Sequence, residues 1–392
     1  MASRVVITGM AGVAPCGQSP DFSGLGEYHN CFSRHESGQI IAPVPEFALT
    51  DYTGRFKQRR YLTRGAEFAV ATAVAALKNS GYENAPELCG LFLGTGPTLD
   101  FSDESLRALW LLEHLPNTPA SIISILLNIT GENLTLTTAC AAGSQAIGEG
   151  FLRVRHGRTA VALVGAGDSR LSDGGLLGYS KAGALYWDED GFEPSEASRP
   201  FDGQRGGFIP GEGGAFFVLE SVESALKRGA HIYGEICGYG SGMDAHSMTD
   251  PDPQGKGAEA CVRRALADAG LGAQNIDGIS AHGTSTPMND MAEAAMLGRV
   301  FENCSTEITA FKSYIGHLSA ACGAVELWLA MRCLEDGIWP AVRNLQDTSG
   351  LPVGGLNFVR DAHSTVPKQT ILLENFGFGG QNSALVVRKW TP

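Results

Sequence analysis

Cys140 stands in Leu134-Thr-Leu-Thr-Thr-Ala-Cys-Ala-Ala-Gly-Ser-Gln-Ala-Ile147, where an alternating run gives way to small residues and then to apolar positions at helical intervals, Ile147, Phe151 and Val154. The pattern predicts a strand, a sharp turn and a helix, with the thiol at the helix N-terminus. Unpaired amides and the positive dipole end there favour thiolate over thiol. A thiolate so placed is a nucleophile, and the neighbouring N–H groups could hold the oxyanion formed when it attacks a thioester. The other eight cysteines, Cys16, Cys31, Cys89, Cys237, Cys261, Cys304, Cys322 and Cys333, form no CxxC pair and no Cys/His set with zinc spacing, and they read as small buried hydrophobes. An odd total of nine argues for a reducing compartment and against a disulfide framework.

Two histidines add to the thiol. His282 follows the strand-like Ile276 to Ala281 and opens the small-residue loop His-Gly-Thr-Ser-Thr-Pro-Met-Asn-Asp290; His317 follows Ile308 to Phe311 within Lys312-Ser-Tyr-Ile-Gly-His-Leu-Ser-Ala-Ala-Cys-Gly323. Both fall between a strand and a helix, where open α/β sheets place their ligands. One Cys and one His suffice for acyl transfer or hydrolysis. Two neutral imidazoles can donate N–H groups to one thioester oxygen, steadying the enolate left when a malonyl group loses carbon dioxide. Lys312 could hold positive charge near that anion; a surface lysine is the other reading.

The elements that would position these groups alternate along the chain. Strand-like runs at Val5 to Thr8, Cys89 to Gly94, Ala160 to Gly165, Ala215 to Glu220, Ile276 to Ala281 and Ile308 to Phe311 are separated by helical patterns near 65 to 80, after Cys140, near 256 to 269 and near 319 to 335. Thr370 to Asn375 and Ala384 to Lys389 read as two strands around Phe376-Gly-Phe-Gly-Gly-Gln-Asn382, a tight turn with no helix after it, which weakens a dinucleotide or phosphate-loop reading. The expected class is α/β. Nucleophile and histidines divide between halves 1–230 and 231–392, which would face each other across one site.

With 392 residues, 43% of them hydrophobic, the chain can bury a large core. It shows neither a signal peptide nor a bilayer-crossing segment and is expected to be cytoplasmic, with no membrane partner. A net charge of −13 without a basic-aromatic tract opposes non-specific nucleic-acid binding, and no nucleic-acid partner is expected. An acidic protein partner would need a local basic patch. Arg55-Phe-Lys57-Gln-Arg59-Arg60-Tyr-Leu-Thr-Arg64 supplies the candidate, unless it is only a solvated face.

Together, Thr138-Ala-Cys140, Ala281-His-Gly-Thr-Ser-Thr286, Lys312-Ser with Gly316-His317, and Asn375-Phe-Gly-Phe-Gly-Gly380 resemble the active-site motifs of β-ketoacyl-[acyl-carrier-protein] synthases, the elongating enzymes of type II fatty-acid and polyketide synthesis. The resemblance extends through Ser198-Arg-Pro-Phe-Asp202 and Gly211-Glu-Gly-Gly214 over essentially the whole chain. It implies a thiolase-like fold of two related βαβ-rich halves in five layers, α-β-α-β-α, and a dimer. It implies that Cys140 takes an acyl group from an acyl carrier protein, with the amides of Cys140 and Phe378 as oxyanion hole, and that His282 and His317 activate a malonyl carrier protein. Lys312 and Glu326 would support the histidines, and Phe378 would gate the site. No cofactor or metal is implied beyond the phosphopantetheine that carries the substrates. Lys57, Arg59, Arg60 and Arg64 would dock the carrier protein.

Some positions depart from the family pattern: Gly94-Thr-Gly-Pro-Thr98, Tyr179, Ala321-Cys-Gly323 and Gln381. These favour a specialised pathway, polyketide or aryl polyene, over bulk fatty-acid synthesis. A homodimer and a heterodimer with a chain-length-factor-like subunit both stay open. A Cys-His hydrolase leaves the second histidine without work, and a non-catalytic scaffold leaves all three groups without work.

Overall fold

The computed structural model describes residues 3–18, 31–99, 109–187 and 191–391. Its strands are β1 (Val5–Val13), β2 (Ser33–Arg34), β3 (Ile40–Ile41), β4 (Gly90–Gly94), β5 (Asn133–Leu136), β6 (Val161–Ser169), β7 (Glu212–Ser221), β8 (Gly234–Met243), β9 (Gly278–Ser280), β10 (Glu307–Thr309), β11 (Asn357–Phe358), β12 (Thr370–Gly377) and β13 (Gln381–Lys389). β2 and β3 pair with each other. The other 11 strands run β11-β10-β9-β12-β13-β8-β1-β7-β6-β4-β5.

That order contains the same motif twice. In β5-β4-β6-β7-β1, β4 is parallel to both neighbours while β7 is antiparallel to both of its own. In β10-β9-β12-β13-β8, β9 and β13 repeat those roles. The sets meet only where Val5 to Ile7 pair with Gly234 to Ile236. Helix Arg64–Asn79 covers the outer face of the first set, and helices Lys256–Ala269 and Pro287–Val300 cover that of the second. Helices Ala142–Arg155 and Cys322–Asp336 fill the middle, touching each other and both sets of strands. The result is the α-β-α-β-α layering expected.

The two middle helices approach at glycines because no side chain fits there. A Cβ on Gly143 would lie 2.9 Å from the Ala320 carbonyl oxygen, and one on Gly323 would collide with the Ser144 hydroxyl at 1.8 Å. The buried faces of the strands follow period two: along β12, Ile371 and Leu373 enter the central core while Leu372 enters the core beneath the outer helices. β1 runs past Thr8, where the sequence pattern stops, because Gly9 and Gly12 continue the ladder with β7. A Cβ at Gly12 would strike the Trp328 ring at 2.2 Å. There glycine marks close packing, not a turn.

Candidate active site

Cys140 sits in an elbow at the end of β5. Ala139 takes a positive φ of 49°, a short 3-10 turn spans Ala139–Ala141, and helix Ala142–Arg155 follows. The tip of β12 leans on this elbow: a Cβ on Gly377 would lie 2.9 Å from the Cys140 nitrogen, so only glycine lets the strand come so close. The sulfur is met by its own amide and by that of Phe378. Burial pushes the Cys140 thiol up to about 12; Lys312 and the two amides pull it down and Asp168 pushes it up. This corrects the expectation of a thiolate. The dry surroundings outweigh the favourable amides, so the resting group is the thiol.

His282 follows β9. Glu293, on helix Pro287–Val300, accepts the His282 and Gly283 amides at 2.6 and 2.9 Å and so fixes the backbone at the strand exit. The ring's Nδ1 lies 3.2 Å from the Lys312 ammonium nitrogen, which donates to Glu326 at 2.5 Å. Glu326 also accepts from the Asn375 amide at 2.6 Å, and the Asn375 oxygen accepts from Ser144 on helix Ala142–Arg155. A continuous buried line thus runs from His282 to the helix carrying Cys140. Burial alone would lower the Lys312 pKa, but Glu326 and other nearby acidic groups raise it, keeping Lys312 an ammonium. An ammonium beside Nδ1 makes that nitrogen an acceptor, which leaves the ring proton on Nε2.

His317 reaches the same state by another route. The Ser319 N–H donates to its Nδ1 at 3.0 Å, so its ring proton is on Nε2 as well. Burial first, then Lys312, holds the His317 pKa down to about 3; burial, Lys312 and His317 hold that of His282 well below the ordinary value. Both rings are neutral. Their centroids are 5.6 Å apart and the planes cross at 80°. Cys140, both histidines and Phe378 line one cavity of about 370 Å³, with Tyr179, Phe208, Thr284, Thr286 and Phe376 among its walls.

The structure thus brings Cys140, His282, His317 and Phe378 to one cavity. Lys312 and Glu326 lie behind it, fully buried, so the surface reading of Lys312 is corrected. Phe378 is 39% exposed, with Gly379 and Gly380 both at positive φ beside it. Lys57, Arg59, Arg60 and Arg64 are exposed and outside the cavity. Arg59 pairs with Glu67 at 2.9 Å and Arg64 with Glu212 at 3.1 Å. Of the eight cysteines read as buried, Cys89, Cys261, Cys322 and Cys333 are, whereas Cys16, Cys31, Cys237 and Cys304 are partly exposed. Sequence reasoning missed Ser144, Glu293 and Asp168. Asp168, at the end of β6, accepts the Ala320 amide at 3.1 Å and pairs with Arg170. Only an acidic residue inside an otherwise apolar strand could have marked it.

Comparison with known proteins fits this geometry. The sequence models of the β-ketoacyl synthase N-terminal and C-terminal domains match residues 2–225 and 233–346. The chain belongs to the β-ketoacyl synthase family. It is 31% identical to a 3-oxoacyl-[acyl-carrier-protein] synthase 2 of Synechocystis sp., over 99% of this chain and 98% of the relative. Among solved structures, the ishigamide ketosynthase/chain length factor superposes with a TM-score of 0.89 at 28% identity, covering all of both chains. A type II PKS acyl-carrier protein in complex with its ketosynthase bound to the hexaketide superposes with a TM-score of 0.86 at 26% identity, again over all of both chains. The thiolase-like ketosynthase fold is therefore that of this chain.

Proposed function

We propose that this β-ketoacyl synthase joins an acyl group held on Cys140 to malonyl-[acyl-carrier protein] by decarboxylative condensation. One observation carries the reading: both imidazoles have Nδ1 engaged behind the ring, which leaves two neutral Nε2–H donors beside one thiol. A hydrolase needs a base. Two donors with depressed pKa values suit an oxygen that gains charge.

In the first stage the Cys140 sulfur attacks the acyl thioester, its oxyanion held by the Cys140 and Phe378 amides. The sulfur's proton leaves with the carrier's thiol. In the second, the malonyl thioester oxygen accepts both Nε2–H groups, the bond to the carboxylate breaks, and the electron pair becomes an enolate. Its carbon attacks the acyl-Cys140 carbonyl, and the departing Cys140 thiolate takes up one proton. Products are carbon dioxide and a β-ketoacyl carrier protein. Phosphopantetheine would pass the Thr284 and Thr286 wall, with no cofactor resident in the protein. Carrier docking is assigned to the Lys57 to Arg64 cluster. Phe378, on its glycine-flanked turn, would gate the cavity.

The likeness to the ishigamide ketosynthase/chain length factor supports a second reading, in which this chain is the catalytic subunit of a heterodimer. Native mass of the protein purified alone and with chains encoded beside it separates the two assemblies. The reading places this work in the cytoplasm; among the described residues no helix is long and apolar enough to cross a membrane. The chemistry is tested by incubation with acyl- and malonyl-carrier proteins. An acyl adduct on the Cys140 peptide, carbon dioxide and ketoacyl product are expected; hydrolysis without carbon–carbon bond formation overturns the reading.

A further inference from the structure

Behind His282 lies a buried acid that the chemistry above leaves without work. Period two along β12 sends Asn375 toward Glu326 and the central helices, and sends Glu374 the other way, under helices Lys256–Ala269 and Pro287–Val300. Glu374 is fully buried, and neither carboxyl oxygen receives an N–H or O–H from another side chain or backbone among the described residues. What it meets is the carboxyl of Glu293. Glu293 is occupied: it accepts the His282 amide at 2.6 Å, the Gly283 amide at 2.9 Å and the Asn289 side-chain amide at 3.1 Å.

Two carboxylates in contact inside a dry core cannot both be ionised, so at least one proton resides on the pair. The other groups that act on the pair do not remove that need: Asp290 adds negative charge, and Lys312 is already paired with Glu326. Since Glu293 spends its oxygens as acceptors, the group left to donate is Glu374. We infer that Glu374 stays protonated and, by donating its O–H to Glu293, is a positioning residue for His282. The order is Glu374 O–H to Glu293 carboxylate, then Glu293 to the His282 and Gly283 N–H groups. Burial, reinforced by Glu293, raises the Glu374 pKa well above the ordinary carboxyl value, and burial raises that of Glu293 to about 7, which agrees with this order.

The positioning role rests on the assignment of malonyl decarboxylation to His282; the protonation state does not. Two measurements keep them apart. Infrared difference spectra of parent against Glu374→Gln at pH 8 should show a protonated-carboxyl carbonyl band that the variant lacks. No such band in the parent, or one unchanged in the variant, overturns the shared proton whatever the enzyme does. Half-reactions then test positioning. Glu374→Leu removes the donor and should slow carbon dioxide release from malonyl carrier protein about tenfold, as expected for losing a hydrogen bond to a charged group. Acyl transfer to Cys140 should change far less, and Glu374→Gln, which keeps an N–H donor, should recover most of the loss. Equal loss in both half-reactions, or no rescue by Gln, overturns the positioning role. A parent enzyme that releases no carbon dioxide from the malonyl substrate would instead defeat the functional reading, with the infrared result still standing.

Discussion

The two halves build the same elbow and use it differently. At the end of β5, Thr138 (φ −102°, ψ 44°), Ala139 (φ 49°) and Ala141 (φ −86°, ψ −8°) lead into one middle helix; in the second half, Leu318 (φ −91°, ψ 22°), Ser319 (φ 50°) and Ala321 (φ −82°, ψ −11°) lead into the other. Cys140 and Ala320 occupy the same place in the two turns. The Ala320 amide is taken by the Asp168 carboxylate, whereas the Cys140 amide faces Gly377, which has no side chain to offer. One elbow is closed by a structural acceptor. The other keeps its amide beside the sulfur, where a substrate oxygen can use it. A positive φ on a residue other than glycine is costly, so it persists where surrounding structure enforces it. Here the comparison teaches that the strain belongs to the scaffold, while the partner opposite the amide decides whether the turn is a site.

Cys140→Ala makes the first turn a chemical copy of the second and should abolish condensation, by roughly four orders of magnitude, while the fold survives. Peptide mass mapping checks it: an acyl adduct on another cysteine of the parent breaks the comparison. His317→Ala removes one of the two donors supplied by the second half. Carbon dioxide release should fall by about 10²- to 10³-fold, with acyl transfer to Cys140 reduced much less. Asp168→Ala leaves the Ala320 amide without its acceptor and Arg170 buried without its partner. A loss of about 3 kcal/mol in denaturant unfolding is expected, since breaking a buried pair is strongly destabilising; an unchanged midpoint would mean the second elbow needs no closure.

The acidity of Cys140 tests the same contrast from the other side. With the thiol pushed up to about 12, its alkylation by a neutral reagent should accelerate with pH, roughly a hundredfold between pH 7 and pH 9, because only the thiolate reacts. A plateau below pH 9 would show that amides and helix end do hold a thiolate. The smallest effect concerns the surface. The helix Arg64–Asn79 follows a basic turn, while its counterpart Lys256–Ala269 follows Asp250 and Asp252. Arg60→Glu should slow acylation by carrier-bound substrate a few-fold, and raised salt should do the same, with a small thioester mimic unaffected. Equal effects on both substrates would take the cluster out of docking.

Much of this was legible because it leaves a pattern. The alternation into strands and helices located the elbows, and the turn expected over Phe376-Gly-Phe-Gly-Gly-Gln-Asn382 is there but shorter, Phe378 to Gly380, because Phe376 and Gly377 pair with Asn382 and Gln381 at the ends of β12 and β13. Cys140, His282 and His317 stood out because each interrupts such a transition with a reactive side chain. What stayed hidden depends on depth. The helix-end field at Cys140 can be inferred from spacing, but its desolvation cannot, so the thiolate expectation had the smaller effect only. Glu374 and Asn375 are neighbours in a strand, yet period two sends them to opposite cores, and the sequence does not say which side holds a partner. Ser144 joins the site only through Asn375, more than two hundred positions away, a contact with no local signature. Glu293 reaches back only to the nearby His282 and Gly283 amides, but nothing in its helical pattern says that it turns inward to meet them.

β13 lies between β12 and β8, so the second half closes only when residues 381–389 are inserted into its middle. Until then β8 and β12 each present an open edge, a template for wrong pairing with other chains. The pairing that seals them joins segments as far apart as Gly234 and Lys389, which makes folding slow relative to local helix formation and leaves unpaired intermediates prone to aggregation. Since the turn from Phe378 to Gly380 links β12 to β13, Cys140 and the Phe378 amide come together in the same folding event that removes those edges. Partly folded chains would therefore carry the Cys140 thiol without the pocket that encloses it.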